Sequence, residues 1–290
     1  MKLLNIVKKI NSSAIAISIL FVTSSFNISS TKPHNNPPIN SLSKVKVICL
    51  DAGHGGHDFG AVGRKSNEKD LNLEVVLKLG KRIEEELPGV KVIYTRTTDV
   101  YPKLYERPAL ANKHKADLFI SVHCNSADRD VRVRNSRGKY VNSVKRNPQV
   151  RGTETLVCGI NRTNEQDVAI RENASILLEE NYQDNYNGFD PKDPSSYIVF
   201  KLMKRQYRDQ SIRLATYIQN QYAASARGNR GVKEQGLAVL ATAAMPAVLT
   251  ELGFISSPEE EEFMMSTEGQ REIVDNLFQA IKTYKNNVEK

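Results

Sequence analysis

Four side chains of this 290-residue chain combine a type that can hold a cation or move a proton with a place at the end of an apolar run or the start of a helix: His54, Glu68, His123 and Glu251. His54 sits in residues 47–63, VICLDAGHGGHDFGAVG, where a short apolar run ending at Asp51 is followed by five glycines. A buried strand running into such a loop lets the backbone fold tightly and a ligand come close. His123 follows a second apolar run, residues 117–122, and Glu251 follows a third, residues 247–250. Glu68 stands at the N-terminal edge of a helical pattern. In open α/β sheets, sites gather beyond the carboxyl ends of the strands. His54 and His123 can therefore face one crevice, with Glu68 reaching in from the helix after the first strand. His, Glu and His form a standard ligand set for catalytic zinc, with a fourth position open for water. Each residue also has a plainer reading. His54 fits a surface turn. Glu68 fits a first-turn carboxylate favoured by the helix dipole. Glu251 is costly to bury unpaired, so it either caps a loop or faces the same crevice. Cys124, beside His123, adds the option of a thiol nucleophile.

The elements that must position these residues follow from periodicity. Apolar residues recur at near-helical spacing from Leu71 to Leu87, and Pro88-Gly89 stops that helix. Residues 90–95 alternate as a second strand. Residues 104–115 read as a helix with Pro108 in its first turn. Residues 117–122 make a third strand. Residues 128–150 are polar and basic without a clear period, and predict a long solvated insertion loop. Residues 152–157 read as a fourth strand and residues 164–182 as a helix. A polar break covers 183–196. A long helix follows over 197–225, residues 231–240 end in a fifth strand, and residues 247–250 make a sixth. Residues 267–284 form a capped amphipathic helix that closes the domain. Alternating strands and helices predict an α/β fold.

The start of the chain reads as targeting sequence. Residues 1–28 carry Lys2, Lys8 and Lys9, an apolar stretch over 14–22, and then small polar residues, the layout of a secretory signal. The apolar stretch is short for a membrane span, which needs about 20 residues. Residues 29–44, rich in Pro, Asn and Ser, read as a flexible lead-in. The remaining chain is enough for one domain, 45–287. The formal charge is +8, of which three charges belong to the signal lysines, leaving +5. A modest positive charge suits an acidic partner such as cell wall or membrane surface. Basic helices with interleaved aromatics are not found, so no nucleic-acid partner is expected. The three cysteines, Cys49, Cys124 and Cys158, lie in or beside apolar runs and read as buried thiols.

Several stretches together resemble the zinc-dependent N-acetylmuramoyl-L-alanine amidases, which trim peptidoglycan. They are LDAGHGG with the later GAVG, NEKDLNL, TRTTD, LYERPALAN, ADLFISVHCNS, GTET, LAVL and MPAVLTELGFISS, in this order from about residue 45 to 283. The resemblance implies a single α/β domain with a twisted, mostly parallel sheet of about six strands flanked by helices, phosphorylase/hydrolase-like. It implies Zn2+ bound by His54, Glu68 and His123, and Glu251 as the catalytic carboxylate. It further implies hydrolysis of the amide between N-acetylmuramic acid and L-alanine, in wall remodelling or daughter-cell separation. The expected location is secreted, in the periplasm or cell envelope, and a monomer is expected.

Two stretches depart from a minimal amidase. Residues 161–196 are similar to an inserted helix of the periplasmic cell-division amidases, which covers the zinc site until an activator protein displaces it. By that resemblance an acidic residue fills the open zinc position, with Glu172, Glu179 and Glu180 as candidates. A plain surface helix is the alternative. The 128–150 insertion has no assigned role. Two rival functions remain: a zinc peptidase cutting within the stem peptide, and a non-catalytic wall-binding protein on an amidase-like domain.

Overall fold

The computed structural model describes residues 44–159, 166–202 and 206–290. The expected signal and lead-in therefore lie outside the described residues. The strands are β1 (Val47–Ala52), β2 (Lys91–Tyr94), β3 (Leu118–Asn125), β4 (Arg129–Arg134), β5 (Tyr140–Lys145), β6 (Thr153–Cys158), β7 (Asn229–Gln235) and β8 (Ala247–Phe254). Six of them form one sheet in the order β2-β1-β3-β8-β6-β7. Every pairing is parallel except β6 with β8. The sheet is thus mostly parallel, and β1, β3 and β8 form its centre.

Helices cover both faces, as parallel strands require. They are α1 (Glu68–Glu86), α2 (Glu106–Lys113), α3 (Asp167–Asn173), α4 (Tyr182–Asn185), α5 (Ile198–Leu202), α6 (Arg208–Ala224), α7 (Ala238–Ala241), α8 (Pro258–Met265) and α9 (Thr267–Val288). Successive strand residues point to opposite faces, and the core divides accordingly. Ile48, Leu50, Ile120 and Val248 pack against α1, α6 and α9. Cys49, Phe119, Leu156 and Leu249 pack against α2, α7 and the segment from Val168 to Phe200. Two fully covered faces explain why the central strands read as unbroken apolar runs.

Four expectations are corrected. Residues 128–150 are not a structureless loop: β4 and β5 pair antiparallel as a hairpin. Its valines alternate with arginines, but no core covers either face, so the pattern lacked a buried side to reveal it. Residues 164–182 are not one helix. Among the described residues, α3 passes at Ala174 into a 3-10 turn, and Asn181, with φ of 54°, breaks the chain before α4. Among the described residues from Pro194 on, a 3-10 turn and α5 precede α6, in place of one long helix. The strand expected at the end of 231–240 starts earlier, at Asn229, and α7 takes residues 238–241. Among the described residues, no helix is long and apolar enough to cross a membrane.

Candidate metal centre

The centre is assembled from three pieces of the carboxyl edge of the sheet. After β1, Gly53 carries the chain past the ring of His123; a Cβ there would lie 2.3 Å from it. His54 itself has φ of 60°, a left-handed conformation that costs a non-glycine residue free energy. Its carbonyl, and that of Ala52, accept from Arg107, while Arg96 holds the carbonyls of Ala52, Gly53 and Lys69. Two buried guanidiniums thus hold the strained loop in place. Arg107 is in turn fixed by Asp51, 2.9 Å away, whose carboxylate also accepts from Thr95 and Ser121 at 2.6 Å. Burial alone would raise the Asp51 carboxyl, but Arg107 and the two hydroxyls hold it below its ordinary value.

Glu68 opens α1 and is fully buried. Its Oε2 accepts from the amide of Ala61 at 2.8 Å and its Oε1 from the amide of Cys124 at 2.9 Å. Gly60, with φ of 66°, passes so close that a Cβ would fall 2.7 Å from Oε2. His123 comes from β3, in direct register with Glu251 of the neighbouring β8.

Donor atoms of His54, Glu68, His123 and Glu172 all lie within 4.8 Å of one another. The Nδ1 of His54 bonds Asp58 at 2.8 Å, leaving Nε2 aimed into the group, 3.2 Å from both Glu68 and Glu172. Neither this Nε2 nor Oε2 of Glu172 has a hydrogen bond, although both are buried. A carboxylate on the far ring nitrogen is the arrangement that sets a ligating histidine's tautomer. His123 presents Nδ1, 3.0 Å from Glu68 and 2.8 Å from Glu172. Two imidazoles and two carboxylates, with one ring nitrogen and one carboxylate oxygen left without a partner, suit a borderline divalent ion such as zinc. The field agrees. Burial alone would lower both histidines, yet Glu68 and Asp58 hold His54 well above its ordinary value, and Glu172 and Glu68 push His123 up to about 9. The pocket favours positive charge at its centre.

Glu251 is fully buried beside this group, and its Oε2 has no hydrogen-bond partner. Burial, and then the nearby Glu172, push its carboxyl well above the ordinary range. Arg171 opposes them, donating from Nη2 to Oε1 at 3.3 Å. Arg171 also donates to Glu172 and to the carbonyl of Ser126.

The three acidic candidates of the insertion separate clearly. Glu172 enters the centre. Glu179 is buried elsewhere, accepting from Tyr101 and Tyr186, and Glu180 is exposed. Sequence reasoning overlooked Asp58, Arg107 and Arg171. Asp58 stands four residues from His54, but no regular element there made that spacing informative. Cys124 is buried, and burial with the neighbouring Glu68 pushes its thiol well up, against a nucleophilic role. All three cysteines are free. A cleft of about 1190 Å3, lined by His54, Glu68, Arg171 and the hairpin base, opens from the centre.

A family model described as N-acetylmuramoyl-L-alanine amidase matches residues 48–283. The chain is 28% identical over 246 residues to the amidase AmiC of Escherichia coli O6:H1, covering 82% of this chain and 52% of that protein. It therefore spans about half the length of AmiC. It is 28% identical over 258 residues to AmiA of Salmonella typhimurium, covering 87% of this chain and 80% of that one. The crystal structure of an N-acetylmuramoyl-L-alanine amidase from Clostridium difficile 630 superposes with a TM-score of 0.59 at 25% identity, covering 84% of this chain and 98% of that one.

Proposed function

We propose, from the premise that this chain belongs to the N-acetylmuramoyl-L-alanine amidase family, that it hydrolyses the amide between N-acetylmuramic acid and L-alanine in peptidoglycan. The reading is carried by one observation: the converging donor atoms of His54, Glu68 and His123 with Glu251 one strand away. His54, Glu68 and His123 would hold zinc. The chemistry supplied at such a ligand set is Lewis acidity, which brings the pKa of water toward about 7 and polarises a carbonyl.

Glu251 takes the proton of the attacking water and returns it to the departing amine of alanine. Burial suits it to that task, because a carboxyl raised well above its usual range takes up a proton more readily than an exposed one. Asp58 holds His54 in one tautomer. Asp51 and Arg107 hold the His54 loop.

The chain is also self-blocked in this reading. Glu172 takes the fourth ligand position and Arg171 occupies Glu251. A segment that must leave for substrate to enter is a two-state element, and an activator protein acts by binding the displaced state more tightly. The substrate and the 1–28 segment together support a location outside the cytoplasm, in the cell envelope.

The test is to incubate the full mature chain and its Glu172→Ala variant with zinc and intact peptidoglycan, and to weigh the soluble products. Stem peptides beginning at L-alanine, abolished by a chelator, are expected. Cleavage within the stem peptide would point to a peptidase. No release from either protein would overturn the reading.

A further inference from the structure

The β4–β5 hairpin has no part in the core. Every residue of β5 is exposed, as is β4 apart from the half-buried Val131. An isolated two-stranded ribbon of this kind is marginal in water, yet this one is carefully held. At its tip, Asn135 Oδ1 accepts from the amides of Arg137 and Lys139 at 3.0 Å, and Gly138 supplies the left-handed turn with φ of 75°. At its base, Asp128 accepts from Arg146 at 2.5 Å and from the amide of Asn147 at 2.8 Å. Arg146 also donates to the carbonyl of Val62, beside the metal-centre loop.

The hairpin's faces are defined by its register. Asp130 and Val144 are directly paired, and both line the cleft. On an antiparallel ribbon the same face recurs every second residue. The next pairs outward on that face are Arg132 with Asn142 and Arg134 with Tyr140. Beyond the lining of the cleft, that face of the ribbon carries two arginines, an amide and a tyrosine that is 65% exposed. The Arg132 guanidinium lies 5.8 Å from the Tyr140 ring. Among the described residues, neither Arg132 nor Arg134 has a carboxylate partner.

We propose that this face of the hairpin is a binding site for the peptidoglycan strand beyond the bond being cut. The Tyr140 ring offers an apolar plate to a sugar face. Asn142 can bond acetamido groups in both directions. Arg132 and Arg134 match the free carboxylates of neighbouring stem peptides, for which the guanidinium fork is suited. Holding the ribbon in shape beforehand lowers the ordering cost of binding. The proposal rests on the amidase reading, since it takes its substrate from there.

The experiment is co-sedimentation of the full mature chain with insoluble peptidoglycan freed of anionic wall polymers. The probes are Tyr140→Ala and the double variant Arg132→Ala, Arg134→Ala, with hydrolysis of the same peptidoglycan followed in parallel. The parent is expected to bind, and each variant to bind roughly tenfold more weakly, a loss of about 1.4 kcal/mol. Restoring charge with Arg132→Lys, Arg134→Lys should recover part of the affinity, which a purely structural defect would not. Variants that bind as tightly as the parent overturn the hairpin site and leave the amidase reading standing. Parent binding seen only when anionic wall polymers are left on would also overturn it, showing a polyanion surface instead. A parent that neither binds nor, with Glu172→Ala, cleaves would overturn the amidase reading first.

Discussion

Arg171 of α3 reaches Glu251 of β8, its Nη2 lying 3.3 Å from Oε1. The next residue, Glu172, lies 2.8 Å from His123 and 3.2 Å from His54. Consecutive residues of one short helix thus contact both the carboxylate proposed to transfer the proton and the histidines proposed to hold the metal. In the proposed self-blocked reading, one displacement of α3 would free both.

Replacing Glu172 by Ala should therefore raise basal hydrolysis. A shift of about 1.4 kcal/mol between blocked and open states is tenfold in population, so a rise of roughly tenfold or more is expected. Release from dye-labelled peptidoglycan measures it. An unchanged rate in a folded, zinc-loaded variant would count against self-blocking. The point variant is a cleaner test than deleting residues 165–190, which would strip Val168, Ala169, Ile176 and Phe189 from the core.

Glu251→Ala and His54→Ala should fail in different ways. Loss of a general base typically costs about 10²- to 10⁴-fold, and Glu251→Ala should show that loss, measured in the Glu172→Ala background, while retaining zinc. His54→Ala should lose zinc as well. Metal content by elemental analysis beside activity separates them. An active Glu251→Ala protein would remove Glu251 from the mechanism.

Chelation should lower the melting temperature as well as abolish activity. An ion binding only the folded state contributes about 4 kcal/mol at a thousand times its Kd. Glu172→Ala has one donor fewer, so its melting temperature should fall less. Differential scanning calorimetry with and without chelator reads both. No shift in either protein would argue against an ion at this centre.

Arg107→Met should destabilise the fold by about 3–5 kcal/mol, because it leaves Asp51 buried without its partner. The pH dependence has a definite sign. The Asp51 carboxyl is lower in the folded state than its ordinary value of 3.8. Its contribution is therefore complete above that value and is lost as pH falls through the folded value. Removing Arg107 raises the folded value, so acid unfolding should begin at higher pH in the variant. Melting temperature against pH checks this; coincident acid limbs would show that the pair carries no such linkage.

The central strands were legible in the sequence because a strand covered on both faces must be largely apolar, and residues 47–50, 118–122 and 247–250 are, with only Ser121 and Thr250 as polar exceptions. So was the crevice at their ends, where His54, His123 and Glu251 each follow such a run. Glu68 was legible as the first residue of a helix, and the family resemblance joined the four. Tertiary structure alone decided the rest. The resemblance left three glutamates of the 161–196 stretch as candidates, and only the packing of α3 brings Glu172, rather than Glu179 or Glu180, to the imidazoles. The pairing of Arg171 with Glu251 spans 80 residues, and that of Asp51 with Arg107 spans 56. Neither leaves a periodic trace, because a buried polar contact depends on two single positions meeting in space. The hairpin was illegible for the opposite reason. The valines of β4 alternate with arginines, but with no core on either face that alternation marks no buried side, and only the backbone pairing shows that it is a strand pair at all.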